Sequence, residues 1–392
     1  MSESDTLFFR TSLDSGGLPA ARAPDAIDSV AARPRMPPEA KAVQQNALTV
    51  FVKIRQGKID ELRVLLESIG KNLHTNPYFQ FGKLTTTHFC RFAIVPGDPD
   101  LDAPASLAFG SNFDGDLDAY LDELIAVGRR GLDAIYDLCD GYPGSSASAA
   151  AVKDFLRQSS LPCAAFYKGH PGLSHRWIKN DIDVRHVIES FLQEQQKTPG
   201  WPPAPSEIRT RIQAHLAKFP GLSTALFDRD LPTWKDALPW LIPASLAGIV
   251  ALPLVIEAAI VYAIFLRYHE LRDKPDSLKA NFPITHLTEM EDQTVQNQLT
   301  HVVPIKPGLF RLWTLKGVLW AINTLAYYIY NQGQLGGIPS IHFARWVIID
   351  GGKRLLFFSN YDGSWENYLG DFIDKASTGL TGVWSNTVGF PK

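Results

Sequence analysis

His88-Phe-Cys-Arg-Phe-Ala-Ile-Val95 returns as His342-Phe-Ala-Arg-Trp-Val-Ile-Ile349, and that recurrence decides how the chain is read. Flanking blocks repeat in the same order. Asn46-Ala-Leu-Thr-Val-Phe-Val-Lys-Ile-Arg-Gln-Gly57 matches Asn297-Gln-Leu-Thr-His-Val-Val-Pro-Ile-Lys-Pro-Gly308, and Ser111-Asn-Phe-Asp-Gly115 matches Ser359-Asn-Tyr-Asp-Gly363. From there an offset of 248 runs without a gap to Pro143 and Pro391, with Gly131/Gly379, Leu132/Leu380 and Gly141/Gly389 agreeing on the way. Ordered blocks of this kind are the mark of an internal duplication.

Each copy spells the same elements. A β-branched strand (48–55; 299–306) leads into a helix (58–73; 309–330). Two strands follow (88–95 and 106–113; 342–349 and 354–361), joined by Gly-containing turns. A long helix then begins after Asp-Gly, with apolar residues at three-and-four spacing: Tyr120, Leu121, Leu124 and Ile125 against Tyr368, Leu369, Phe372 and Ile373. In the first copy a short helix (147–158) and a strand (162–169) complete the order βαββαβ, the ferredoxin-like split motif. The second copy reaches Lys392 at the point matching residue 144. Its last helix and strand are expected beyond that point; the other expectation is a sheet edge left for a partner strand.

The rest of the chain sorts around this pair. Residues 1–45 are rich in Ala, Pro, Asp, Ser and Arg without periodicity, and read as a disordered arm. Acidic residues at once (Glu3, Asp5) and no apolar core rule out reading that arm as a secretory signal. Repeat one then spans 46–170, a helical linker 171–296 and repeat two 297–392. Helices are expected at 181–195 and 206–219. Over 392 residues the net charge is −3, which gives no electrostatic support for nucleic-acid binding. Three cysteines without a C-x-x-C pair exclude a disulfide scaffold and a thiolate zinc site. The cytoplasmic side is the expected location.

Two ferredoxin-like repeats in one chain resemble the dimeric α/β-barrel superfamily. The resemblance covers 46–169 and 297–391 by element order, and implies an α+β fold in which the repeats form a pseudo-dimeric α/β barrel. Relatives of that kind include dye-decolourising peroxidases, chlorite dismutase-like haem proteins and cofactor-free monooxygenases. The first of these carry G-x-x-D-G, whose Asp serves peroxide cleavage. Here Gly110-Ser-Asn-Phe-Asp114-Gly115 is one residue too long, and Phe358-Ser-Asn-Tyr-Asp362-Gly363 lacks the first Gly. The resemblance makes haem the implied cofactor.

Strand alternation places Arg91 and Arg345 on one face with Phe89 and Phe343, and His88 and His342 on the other. In the next strand Asn112 and Asp114, like Asn360 and Asp362, share a face. Because an unpaired guanidinium is costly under helices, the Arg and Asn/Asp faces are expected to look between the sheets. Read functionally, Arg91, Asp114, Arg345 and Asp362 are catalytic, Arg steadying an anion and Asp moving a proton, with Asn112 and Asn360 binding substrate. Read structurally, Asp-Gly is a turn and helix N-cap, and Arg pairs with it. His88, His342 and His301, which replaces Val50, are the candidate haem ligands. No H-E-x-x-H, P-loop, G-x-S-x-G or strand-linked G-x-G-x-x-G occurs.

From Ala237 to Leu266 the only charge is Glu257. The run is long enough for a bilayer, which needs roughly 20 apolar residues. A single crossing would separate the two repeats, and Pro253 divides the run into two short halves. A bent hairpin entering one leaflet satisfies both conditions, with Arg267, Arg272 and Lys274 at the headgroups. The helix at 309–330, with Trp313, Trp320 and Tyr327, offers a second surface for membrane lipids. A buried core or homo-oligomer contact is the alternative. The sequence thus leads to a membrane-associated oxidoreductase acting on an apolar or lipid-derived substrate. The alternatives are a cofactor-free monooxygenase and a non-enzymatic barrel that binds lipid or recruits a partner.

Overall fold

The computed structural model describes residues 42–73, 75–199, 201, 204–224, 231–239, 241–243, 252–273 and 295–390. In chain order these form β1 (Gln45–Lys53), α1 (Ile59–Lys71), β2 (Thr87–Val95), β3 (Ser106–Asp114), α2 (Leu117–Tyr136), α3 (Ala149–Gln158) and β4 (Ala165–Lys168). Then come α4 (His175–Gln195), α5 (Pro205–Leu216), α6 (Leu252–Arg272), β5 (Gln296–Pro304), α7 (Leu309–Tyr328), β6 (Ile341–Ile349), β7 (Arg354–Asp362), α8 (Trp365–Lys375) and α9 (Ser377–Trp384). The fold is α+β with two antiparallel sheets, ordered β1-β3-β2 and β4-β6-β7-β5.

Alternation along the strands divides the apolar residues between helix-facing layers and a layer between the sheets. In the first half Cys90, Phe92, Leu107 and Phe109 pack under α1 and α2 with Leu62, Leu66, Leu121 and Leu124. In the second half Trp346, Leu355 and Phe357 pack under α7 to α9 with Leu315, Leu319 and Phe372. The alternate residues Val95, Ala108, Val347, Ile349, Leu356 and Phe358 form a third cluster drawn from both sheets. Removing these faces from water at roughly 25 cal/mol per Å² is the main drive that holds helices to sheets.

The expected strand at 162–169 forms, but on the other half's sheet. Residues 159–161 first touch β1, through Phe51 N–H to Ser159 O (2.9 Å) and Leu161 N–H to Thr49 O (2.8 Å). The chain then crosses, and β4 pairs antiparallel with β6, Phe166 opposite Arg345. The described strand pairings make two separate sheets, which corrects the expectation of a closed barrel. The crossing segment contributes only those short bridges to the first sheet, too few to continue its ladder.

Three further expectations change. The Asp-Gly positions are turns, with Gly115 and Gly363 both at φ 85° where a side chain would be strained. The N-caps, however, lie further on, where Asp116 accepts the amide of Ala119 and Ser364 that of Asn367. The second copy's long helix breaks at Ala376 (φ −119°, ψ 21°) into α8 and α9. The run Ser377-Thr-Gly-Leu-Thr-Gly382 supplies weak helix formers there. Pro253 is the second residue of α6 as described, which runs on without a break to Arg272. At about 1.5 Å per residue α6 is roughly 31 Å long. Among the described residues no helix is long and apolar enough to cross a membrane. Residues 244–251 of the apolar run, just before α6, lie outside the described residues, as do Lys274 and residues 1–41 of the expected disordered arm. The arm's end is strand: Gln45 opens β1, is 3% exposed, and its side-chain amide donates to Leu173 O.

Candidate functional site

The sheets face each other through residues that the duplication placed in both. Arg91, on β2, reaches across to the second sheet, donating from Nη1 to Leu299 O (2.5 Å) and from Nη2 to Ser359 O (2.9 Å). Arg345, on β6, returns the contact, donating from Nη1 to Leu48 O (2.9 Å) and Ser111 O (2.7 Å). Leu48 and Leu299, like Ser111 and Ser359, are equivalent positions of the two copies, so the contacts are reciprocal. At the midpoint the amide of Asn112 donates to that of Asn360 at 3.1 Å. All four polar side chains are at most 3% exposed. The expectation that they look between the sheets is met. Arg91 and Arg345 bond to the opposite sheet and the two Asn side chains to each other, while Asn112 Oδ1, Asn360 Nδ2 and Arg345 Nε have no hydrogen-bond partner.

One broken equivalence fills the remaining space. Gly110 in the first copy stands where the second has Phe358. The Phe358 ring lies beneath both guanidinium groups, with Arg91 Cζ 4.8 Å and Arg345 Cζ 5.0 Å from its centroid. A β-carbon on Gly110 would come within 2.4 Å of Arg345 Nη2 and 2.9 Å of the Phe358 ring. Small on one sheet and large on the other is how facing layers interdigitate. Burial, with Arg345 close by, holds the Arg91 pKa well below its ordinary value, and burial brings Arg345 to about 10. At about 10, Arg345 stays charged at neutral pH, and carbonyl dipoles in place of carboxylates hold both guanidinium groups.

The Asp residues do not pair with Arg, which corrects that part of the structural reading; each accepts from a histidine instead. His88 Nε2–H donates to Asp114 Oδ1 at 2.8 Å, and His342 Nε2–H to Asp362 Oδ1 at 2.8 Å. Simple alternation puts these histidines on the face opposite the aspartates. A β-bulge in each copy, between Thr87 and Phe89 and between Ile341 and Phe343, shifts them across. The rings then cross-pack, His88 on Phe343 at 5.3 Å and His342 on Phe89 at 5.9 Å. The two dyads and these phenylalanines form one end of the inter-sheet layer.

The dyads differ in cover. His88 and Asp114 side chains are 3% and 8% exposed, those of His342 and Asp362 23% and 40%. The cover over the first is the start of α4, where the His175 amide donates to Asp114 Oδ2 at 2.7 Å and Ser174 caps the helix. His175 Nδ1–H donates to Thr85 O at 2.9 Å, and burial lowers its pKa to about 4, so the ring is neutral at pH 7. Of the two dyads, only the second has side chains partly open to solvent.

His301 lies elsewhere. It sits on the helix-facing side of β5, where Trp384 Nε1–H donates to its Nδ1 at 3.3 Å, and burial lowers its pKa. The three histidines thus do not converge on one seat, and Phe358 and the crossed rings occupy the space between the sheets. These residues do not fit a haem, and no step is routed through one. Among the described residues no group of three or more His, Cys, Asp or Glu is placed to hold a metal ion.

His175 was missed by sequence reasoning because the linker carries no signal of its own, and its contact to Asp114 is purely tertiary. The Gly110/Phe358 exchange, by contrast, stands in the alignment of the two copies. Protein-family models, curated proteins and solved structures were compared with the chain, and none matches.

Proposed function

We propose that this protein is membrane-associated, held on one leaflet by the outer surfaces of α6 and α7, and that it binds an apolar, lipid-derived molecule there. One observation carries the reading: α1 and α7 occupy matching places in the two copies but turn opposite surfaces outward. Both bury an apolar stripe, Leu62, Leu66 and Ile69 in α1 and Leu315, Leu319 and Ala326 in α7. The outside of α1 carries Asp60, Glu61 and Lys71. The outside of α7 carries Leu309, Trp313, Trp320 and Tyr327, each more than half exposed, with Lys316 over the Trp313 ring. Beside it stands α6, whose described side chains from Leu254 to Phe265 are all exposed. A helix apolar around its circumference matches a fluid surround better than a single protein face. The indole and phenol rings with Lys316, Arg267 and Arg272 suit a headgroup boundary.

The α6 base is firmly tied. Asp273 accepts from Lys306 Nζ (2.6 Å) and Arg311 Nη2 (2.7 Å), and the Phe310 ring lies against Tyr262, Phe265 and His269. Element order and the reciprocal Arg contacts support the further proposal of two ferredoxin-like repeats packed as a pseudo-dimer, and with it the kinship to the dimeric α/β-barrel superfamily. The reciprocal packing of Arg91, Arg345, Asn112 and Asn360 between the sheets favours the non-enzymatic lipid-binding or partner-recruiting reading. The oxidoreductase reading keeps one support, the half-exposed His342–Asp362 dyad.

The test is flotation of the full chain with phosphatidylcholine vesicles containing phosphatidylglycerol. The wild type is expected to float, and Trp313→Ser combined with Trp320→Ser to reduce the floating fraction several-fold. Protein that stays at the bottom of the gradient contradicts the membrane reading. For the dyad, turnover of membrane-extracted lipid that is lost in His342→Gln supports the enzymatic alternative, unchanged turnover takes the dyad out of it, and no turnover by the wild type contradicts it.

A further inference from the structure

The two flanks of the inter-sheet layer are filled unequally. On one flank, residues 159–164 run between β1 and β6. Phe51 N–H donates to Ser159 O (2.9 Å), Leu161 N–H to Thr49 O (2.8 Å) and Ala164 N–H to Trp346 O (2.8 Å). Leu161 and Cys163, with Phe51, pack there against the cluster that holds Val347, Ile349 and Phe358. The other flank lies between the counterpart strands, β5 and β2, and holds a cleft of about 260 Å³. Its walls are Ile94, Val95 and Pro96 at the end of β2, and Thr300, Val302 and Pro304 on β5. Thr300 and Val302 stand where β1 has Thr49 and Phe51, and Val95 stands where β6 has Ile349. The cleft is therefore the counterpart of the space that Leu161 and Cys163 fill. Arg354, where the first copy has Ser106, also lines it, with its guanidinium already bonded to Asp350 and to Pro96 O.

The edge of β5 is unpaired at the same place. Ile305 N–H donates to Lys353 O on the β7 side (2.8 Å). On the outer side Lys306 N–H donates to Asn386 O (2.9 Å), and Pro304 O accepts from Val388 N–H (2.9 Å). The β5–β7 register runs without a shift, so alternation turns the Val302 N–H and the Thr300 C=O outward as well. Among the described residues neither has a backbone partner beyond the sheet. Such an edge is a template for a further strand. The cleft lies below the roughly 300–1,000 Å³ of drug-sized pockets, which suits an inserted aliphatic side chain or two.

We propose that this cleft docks a short, extended, apolar peptide segment of a partner protein. The segment adds to β5 as residues 159–161 add to β1, accepting from Val302 N–H and donating to Thr300 O, with its apolar side chains against Val95 and Val302. The proposal gives the partner-recruiting alternative a site and stands apart from the membrane contact. A chain that floats with vesicles but ignores the peptide fails here and not there.

The molecule's own occupant of the filled flank supplies the probe. A fluorescein-labelled, end-capped peptide with the sequence of residues 157–165, carrying Cys163→Ala, is titrated with the full chain and followed by anisotropy. Saturable binding is expected, and methylating the peptide's Leu161 amide nitrogen or introducing Leu161→Asp should weaken it at least tenfold. In the protein, Val302→Pro removes the outward N–H and spares the β7 ladder, since proline is tolerated on an edge strand. That variant should lose tenfold or more while melting cooperatively. No saturable binding up to millimolar protein, equal binding of the methylated peptide, or undiminished binding by folded Val302→Pro overturns the proposal. Should Val302→Pro fail to fold, the methylated peptide on the wild type decides. Dimerisation of the chain that Val302→Pro abolishes would make the occupant a second copy and overturn the assignment to a partner.

Discussion

The two halves of this chain share their inward-facing residues and differ in what they turn outward or leave uncovered. Arg91 and Arg345, Asn112 and Asn360, and the two His–Asp pairs recur because each half needs them to meet the other. Gly110 against Phe358, Ser106 against Arg354, and the charged back of α1 against the aromatic back of α7 do not recur. The shared set lies between the two sheets, and the divergent set is where the proposed lipid contact of α7 is found. A residue repeated by duplication is therefore weak evidence of chemistry, and a residue that breaks the repeat is the better place to look.

The largest effect expected from breaking this comparison is on the reciprocal arginines. Arg91→Ala and Arg345→Ala should each cost about 3–5 kcal/mol in urea unfolding, because each strands two carbonyl contacts and leaves a void. Equal losses fit reciprocity, whereas a loss confined to one of them assigns that arginine a separate role. Phe358→Ala should cost about 3–4 kcal/mol by opening a cavity between the sheets. Gly110→Ala, on the facing sheet, should cost roughly 1–3 kcal/mol by overpacking the same space.

Smaller effects separate the dyads. His88→Gln should destabilise by about 2 kcal/mol, since it leaves a buried carboxylate without its donor, and His342→Gln by under about 1 kcal/mol at its half-exposed site. Similar values for the two would mean that the cover from α4 is unimportant. That cover also sets a pH response. His175 has a folded pKa of about 4 against an ordinary value of about 6.5, so the unfolded chain binds the extra proton between these limits. Stability should be fully present above about pH 6.5 and fall by on the order of 2 kcal/mol as the pH drops toward 4. Urea unfolding at pH 4.5 and 7 should show that slope in the wild type and a weaker one in His175→Gln.

The duplication made most of the architecture legible. Nearly every strand of both copies lies within a few residues of its expected place, because period-two burial is local information. The destination of β4 was not legible, since nothing in Ala165–Lys168 says which sheet edge it joins. The histidine side was misread for a local reason: one bulged residue per copy reverses the parity of every position before it. The Arg and Asn side chains were placed in the right layer, but the Arg partners are backbone carbonyls and each Asn's partner is the other Asn, all far away in sequence, which no motif records.

The central claim is that α6 and the back of α7 meet a lipid leaflet while the rest of the molecule does not. Amide hydrogen exchange of the full chain, with and without phosphatidylcholine–phosphatidylglycerol vesicles, tests it residue range by residue range. Added protection confined to 252–272 and 309–328, with β2, β3, β6 and β7 unchanged, is the predicted result. Unchanged exchange in both helices, or protection centred on the first half, would contradict it.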